Sequence, residues 1–265
     1  MSRPLRVAIH GASGRMGAAL LRLLEDDTRF ALAGALVSAD SRHVGAPAGH
    51  HAGLRYDCDW AAVGPLDVVI DFSTPAALPA LIEQCLARHA ALVTGTTGFD
   101  AAQEARLAAA AAHIPVLQAA NFSLGIAVLT RLVREAAAAL HAWDLEILEA
   151  HHARKQDAPS GTALALGAAA AAARGTSLEA AAVYARQGQT GPRGPGSIGF
   201  AVIRGGDVVG EHSVQLFAAG ERLELVHRAT DRLIFARGAL EAAYWLAGKP
   251  AGRYTLDALL AARAG

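Results

Sequence analysis

The sequence predicts an α/β protein in two domains: a doubly wound parallel sheet, then a second α+β domain with a mixed, β-rich sheet. Three observations carry that prediction. Short apolar runs alternate with helical patterns through residues 5–119. A glycine-rich turn joins the first apolar run to the first helical pattern. After Asn121 the pattern changes to a long helix and then to successive strands. Strand–helix alternation at this spacing specifies parallel strands covered by helices on both faces.

In order, strands are expected over residues 5–10, 30–37, 66–72, 91–94 and 114–119. Helices are expected over residues 15–25, 74–89 and 100–112, with Pro75 in the first turn of the second. Beyond them come a helix over 124–140, a strand over 145–149 and a helix from Thr162. Strands over 197–204, 208–217 and 222–229 are joined by Gly205-Gly206-Asp207 and Ala219-Gly220, both hairpin-type turns. A helix over 235–246 follows. The loop over 187–196, with four glycines and two prolines, is a connector or flap. The expected domains are residues 1–122, with 232–265 packing back on them, and residues 123–231.

Composition excludes several function classes. Of the 265 residues 53% are hydrophobic, much of it alanine, and the longest alanine-rich stretch, 163–173, falls short of the ~20 apolar residues that span a bilayer. Residues 1–6 run straight into a strand pattern without a leader, so a cytoplasmic location is expected. Lysine plus arginine equals aspartate plus glutamate at 24 each, which leaves no global field for nucleic acid or an anionic membrane. Cys58 and Cys85 lack metal-type spacing and are read as reduced thiols. Eleven histidines form no HxxxH or HExxH pattern, so no metal is expected.

Gly11-Ala12-Ser13-Gly14-Arg15-Met16-Gly17 lies between the first strand and the first helix. Glycines permit a tight turn and let backbone N–H groups reach a pyrophosphate at the positive helix end. The spacing, GxxGxxG, is one residue longer at its first gap than the common GxGxxG. A tight turn with no ligand is the alternative, but the strand–helix setting favours a Rossmann-like nucleotide site at Gly11 to Met16. At the end of the second strand, where an acid usually holds the ribose, the chain reads Ala35-Leu36-Val37-Ser38. Asp40 could serve the ribose, while Ser38 and Arg42 could receive a 2′-phosphate, so NADH and NADPH both stay open. Gly95-Thr96-Thr97-Gly98 and Ala119-Ala120-Asn121-Phe122 follow the fourth and fifth strands, where ligands of open α/β sheets collect. Their small and hydroxyl side chains suit a nicotinamide ribose or carboxamide; ordinary strand–helix caps are the plainer alternative.

Residues 149–162, Glu149 through Thr162, leave a strand and enter an alanine-rich helix. His151, His152, Arg154 and Lys155 form a local cationic cluster in a neutral protein. Ser160, Gly161 and Thr162 stand at the helix start, where unsatisfied N–H groups bind anions such as a substrate carboxylate. A histidine or lysine beside that site can deliver a proton. A solvated loop with a helix cap is the alternative for any one of these residues.

At these residues the sequence resembles the 4-hydroxy-tetrahydrodipicolinate (dihydrodipicolinate) reductase family of lysine and diaminopimelate biosynthesis. The matching runs are VAIHGASGRMG, VIDFSTP, GTTGFD, AANFSLG, EAHHARKQDAPSGTAL and IGFAVIRGGDVVGEHSVQLFAAGERLELVHRA. The resemblance implies dinucleotide contacts at Gly11, Ala12, Ser13, Gly14, Arg15, Met16, Gly95, Thr96, Thr97, Ala119, Ala120, Asn121 and Phe122. It makes His151 the proton donor or acceptor, Lys155 a proton donor, and His152, Gly161 and Thr162 ligands of a small dicarboxylate. The family's acid–arginine pair after the second strand is replaced by Val37-Ser38, which leaves cofactor preference undecided. A homotetramer joined through the β-rich domain is also implied. The rivals are a dehydrogenase of the same plan with another imine or ketone substrate, and a dinucleotide-binding sensor without turnover.

Overall fold

The computed structural model describes residues 3–51 and 53–264. In chain order its elements are β1 (Leu5–His10), α1 (Arg15–Leu24), β2 (Phe30–Leu36), β3 (Tyr56–Asp57), β4 (Val68–Asp71), α2 (Leu78–Arg88), β5 (Ala91–Thr94), α3 (Ala101–Ala110) and β6 (Pro115–Gln118). Then come α4 (Leu124–Ala139), β7 (Asp144–His151), α5 (Gly161–Ala173), α6 (Leu178–Ala181), β8 (Ala182–Val183), β9 (Ile198–Arg204), β10 (Gly210–Ala218) and β11 (Glu221–Ala229). The chain ends on α7 (Leu233–Leu246), β12 (Gly252–Tyr254) and α8 (Leu256–Ala264). Two compact units result: one runs to Leu124 and resumes at Leu233, and the other spans residues 125–232.

The first unit is a seven-stranded parallel sheet in the order β12-β6-β5-β4-β1-β2-β3. The chain winds outward from β1 through β2 and β3, then returns to β4 on the other side of β1, so the sheet is doubly wound and Rossmann-like. Val7, Ala8, Ile9, Val68, Val69 and Ile70 are fully buried, as strands covered on both faces require. On α1 the buried Gly17, Leu20, Leu21 and Leu24 recur at helical spacing and form the inward stripe. The helix predicted over 74–89 is split into a 3₁₀ turn, Pro75–Ala77, and α2. Two prolines, Pro75 and Pro79, each fit only a first turn, so the second one restarts the helix. At the C-terminal end α7 packs on β4, β5, β6 and α1, and β12 extends the sheet beside β6. Neither β3 nor β12 was predicted; with two and three residues, they are too short to show a period.

The second unit is a five-stranded mixed sheet in the order β11-β10-β7-β9-β8. Here the structure corrects the expected joining of residues 197–204 to 208–217 by a hairpin. The strand β9 pairs in parallel with β7, and β10 pairs antiparallel with the other edge of β7. The strand β7 therefore lies between them, and Gly205-Gly206 carries the chain across its end: Gly205 N–H donates to the His151 carbonyl at 3.0 Å. Burial explains the choice, because Leu145 and Ile147 are fully buried and belong at the sheet's centre. The β10–β11 hairpin does form, with Ala218 opposite Glu221 across Ala219-Gly220.

One face of this sheet packs on α4 and α5 through Leu129, Val133, Leu166, Ala170, Ile147 and Phe200. Arg174, buried after α5, donates to the carbonyls of Ala137, Leu140 and Trp143 and so satisfies the end of α4. The glycine-proline loop over 187–196 is tied down by Arg193, which binds the Asp144 and Glu146 carboxylates and the Leu145 carbonyl.

Candidate active site

In the first unit, Gly11 takes φ +78°, and a Cβ there would stand 2.4 Å from the Phe72 carbonyl oxygen. Only glycine turns the chain this tightly at the end of β1. Gly14 caps α1 without a side-chain bond, and the first-turn N–H groups that follow have no intrahelical acceptor. Arg15 and Met16 line an open depression of about 240 Å³ with Phe72, Ser73, Gly95, Thr96 and Thr97. Two of the three predicted cofactor loops thus meet at one place. The third is joined to β5 by Ala119 N–H, which donates to the Thr94 carbonyl at 3.1 Å. Its Phe122 is buried edge-on against Phe72, with ring centroids 5.5 Å apart. Val37 is buried, whereas Ser38, Asp40 and Arg42 are exposed on the turn after β2.

Asp71, at the end of β4, went unassigned in the sequence reading. It is 1% exposed, and its carboxylate accepts from Ser73 N–H, Ser73 Oγ, Thr94 Oγ1 and Thr96 Oγ1 at 2.6–3.2 Å. His10 Nδ1 stands 2.8 Å from the same carboxylate. Burial opposes the charge, but His10, Ser73 and Thr94 outweigh it and hold this carboxyl below the usual range. One buried anion thereby fixes the ends of β1, β4 and β5, including the Thr96 hydroxyl, which also accepts from Ser73 N–H.

In the second unit, β7 continues two residues past its predicted end, so His151 is a strand residue in register with Arg204 of β9. Period-two alternation puts Glu149 on the core face with Leu145 and Ile147. Its side chain is fully buried and accepts four hydrogen bonds. Arg204 donates to both oxygens at 2.8 Å, Ser160 N–H to Oε1 at 2.9 Å, and His151 Nδ1 lies 2.5 Å from Oε2. Burial would raise the Glu149 pKa, but Arg204, His151 and the Ser160 amide lower it on balance. His212 on β10 meets His151 edge-on at 5.2 Å, and its Nε2 lies 3.1 Å from Ser160 Oγ. Ser160 Oγ also accepts from Ala163 N–H, so this hydroxyl links His212 to the first turn of α5. Burial, then the proximity of His151, drops the His212 pKa to about 4.

The remaining predicted residues surround this cluster. The pKa of His152 is pushed below its ordinary value by loss of solvent and by Arg232, Arg154, His151 and Lys155, the mark of a cationic field. Lys155 Nζ pairs with both oxygens of exposed Asp157 at 2.8 Å. Gly161 opens α5, exposed, with no atom within 4 Å of where a Cβ would point; Thr162 is the next residue of the same first turn. Sequence reasoning gave no role to Glu149, Arg204 or His212. The signal for Glu149 and His212 was present: each is a polar residue on the apolar face of an alternating strand.

A doubly wound sheet with a glycine turn after its first strand, followed by a mixed sheet bearing an acid–histidine–arginine cluster, defines a two-part oxidoreductase of the Rossmann-like class. Comparison with known proteins narrows this. Residues 5–122 match the family model described as dihydrodipicolinate reductase, N-terminus, and residues 125–260 the model described as its C-terminus. The chain is 47% identical over 262 residues to the 4-hydroxy-tetrahydrodipicolinate reductase of Thiobacillus denitrificans, covering 97% of this chain and 98% of that one. It is 48% identical over 261 residues to that of Xanthomonas campestris pv. campestris, covering 97% and 98%. A dipicolinate-bound dihydrodipicolinate reductase from Paenisporosarcina sp. TG-14 shares the fold, with a TM-score of 0.78 at 22% identity over 95% of this chain and 97% of that one. The chain belongs to the dihydrodipicolinate reductase family.

Proposed function

We propose that this chain reduces the cyclic, unsaturated dicarboxylate imine formed by loss of water from 4-hydroxy-tetrahydrodipicolinate, using NADPH or NADH, and yields tetrahydrodipicolinate for lysine and diaminopimelate synthesis. The observation that carries the reading is the cluster at the end of β7, where His151 is held by buried Glu149 beside a cationic segment and a helix start. Family membership supports the substrate, and a solved structure of the same fold holds dipicolinate, a planar dicarboxylate analogue of the ring.

The depression between the glycine turn and the β5 loop suits part of a dinucleotide: Arg15 and Met16 line it with Ser73, Gly95, Thr96 and Thr97, and the turn from Gly11 to Met16 would hold the phosphates. When bound, the reduced nicotinamide supplies the hydride. Gly161 and Thr162 at the start of α5, with His152, hold the substrate carboxylates. Lys155 leaves Asp157, an exposed and weak partner, to act beside His151 as a proton donor to the bound dicarboxylate. His151 gives a proton to the ring carbon as the enamine becomes an imine, while the surrounding cations stabilise charge that develops on the ring nitrogen. Exposed Val202, Ile203, Leu223 and Val226 on β9 and β11 support self-association through the β-rich unit, which the family resemblance makes a homotetramer.

The test is an assay of purified protein with substrate generated in situ, following NADH and NADPH oxidation separately. His151→Ala and Lys155→Ala are each expected to depress kcat by about 10²–10⁴. Near-native turnover in both variants would sink the assignment. Dinucleotide binding without any oxidation would favour a sensor instead.

A further inference from the structure

We propose that Glu149 is a positioning residue that fixes His151 with its proton on Nδ1, making Nε2 the nitrogen that exchanges protons with substrate. This rests on the reading of His151 as the proton-transfer group. The ionised carboxylate can only accept, so the 2.5 Å contact from Oε2 to His151 requires Nδ1–H. In the charged ring both nitrogens carry hydrogen; loss of the Nε2 proton to a substrate carbon leaves a neutral ring that Glu149 still holds.

The same carboxylate does a second job. Its other oxygen accepts from Ser160 N–H at 2.9 Å, one residue before Gly161, the first residue of α5. Glu149 therefore sets the distance between the proton-transfer group and the carboxylate-binding turn. Arg204 keeps it anionic from the β9 side, and the His212 bond to Ser160 Oγ holds the turn from the β10 side.

The experiment is ¹⁵N NMR of histidine-labelled full-length protein, combined with steady-state kinetics. In the wild type, His151 is expected to show a protonated Nδ1 and an unprotonated Nε2 when neutral; the reverse tautomer would overturn the proposal without any variant. Glu149→Gln should populate both tautomers and lower kcat about 10²-fold or more. Glu149→Asp retains the charge for Arg204 but draws the carboxylate back by one methylene. It is expected to fold like the wild type by circular dichroism, and to lose kcat at least about tenfold. Retention of the wild-type tautomer and kcat in both variants refutes the positioning role. If the tautomer shifts as expected while His151→Ala keeps full activity, the failure lies in the catalytic reading of His151 and not in the Glu149–His151 coupling.

Discussion

Burial of His212 should make the β-rich unit lose stability in mild acid, well before its carboxylates titrate. The ring is 4% exposed, with Nε2 bonded to Ser160 Oγ and Nδ1 buried without a hydrogen-bond partner among the described residues, so protonating both nitrogens would strand a buried N–H. Its folded pKa is about 4, against an ordinary value of 6.5. Between those values the unfolded chain binds more protons, so stability is full above about pH 6.5 and is lost as pH falls toward 4. Linkage gives a loss of about 2 kcal/mol between pH 7 and pH 5, and a ceiling of about 3 kcal/mol below the folded value. His227, across the β10–β11 pair, is lowered by burial and contributes with the same sign. The comparison that isolates His212 is His212→Gln, whose side-chain amide can still bond Ser160 Oγ. Urea unfolding followed by circular dichroism at pH 7 and pH 5 should show the wild type losing about 2 kcal/mol more than the variant. Equal losses in the two proteins would mean that His212 is hydrated or charged in the fold.

Asp71→Asn should weaken the first unit, because hydrogen bonds to an ionised acceptor are about twice as strong as neutral ones. With five donors around it, a cost of about 3 kcal/mol by urea unfolding is expected, together with at least tenfold weaker NADPH binding by fluorescence titration. Since Asp71 is depressed in the fold, its contribution is full above about pH 3.9 and lost as pH falls through the lower folded value, and the variant should lack that acid limb. Gly95→Ala would place a Cβ 2.1 Å from Phe72 Cε1 and push the ring into the depression it lines. The expected result is about 1–3 kcal/mol of destabilisation and a raised dinucleotide Kd, with wild-type binding as the contrary outcome.

Legibility in the sequence followed physical contrast. The central strands were plain because full burial makes them continuous apolar runs, and residues 91–94 were placed without error. The hairpin expected at Gly205-Gly206 failed because turn chemistry is local, whereas the insertion of β7 between β9 and β10 is decided by which strand must be buried on both edges. For the site, His151 and Lys155 stood out as charges in a neutral chain. Glu149 and His212 showed only as polar residues on apolar strand faces, and the partners that give them and Asp71 a role include residues 11 to 61 positions away in sequence.

Asp71 and Glu149 are the same physical device used twice. Each is a carboxylate at the carboxyl end of a central strand, buried in its own unit, and each is surrounded by donors from neighbouring strand ends and loops. Removing a carboxylate from water costs several kcal/mol, and its partners at best offset that. Net stability is therefore a poor reason for either one. What a saturated buried anion does supply is a single low-energy arrangement of the groups that point at it, because any shift strands a donor or a charge. At Asp71 those groups are loop hydroxyls and an amide beside the glycine turn. At Glu149 they are a histidine and a helix start, whose relative placement proton transfer to a bound dicarboxylate would require. Substitutions at these two positions should thus cost folding as well as function, whereas Lys155→Ala, at a half-buried side chain paired with exposed Asp157, should change function with little change in stability.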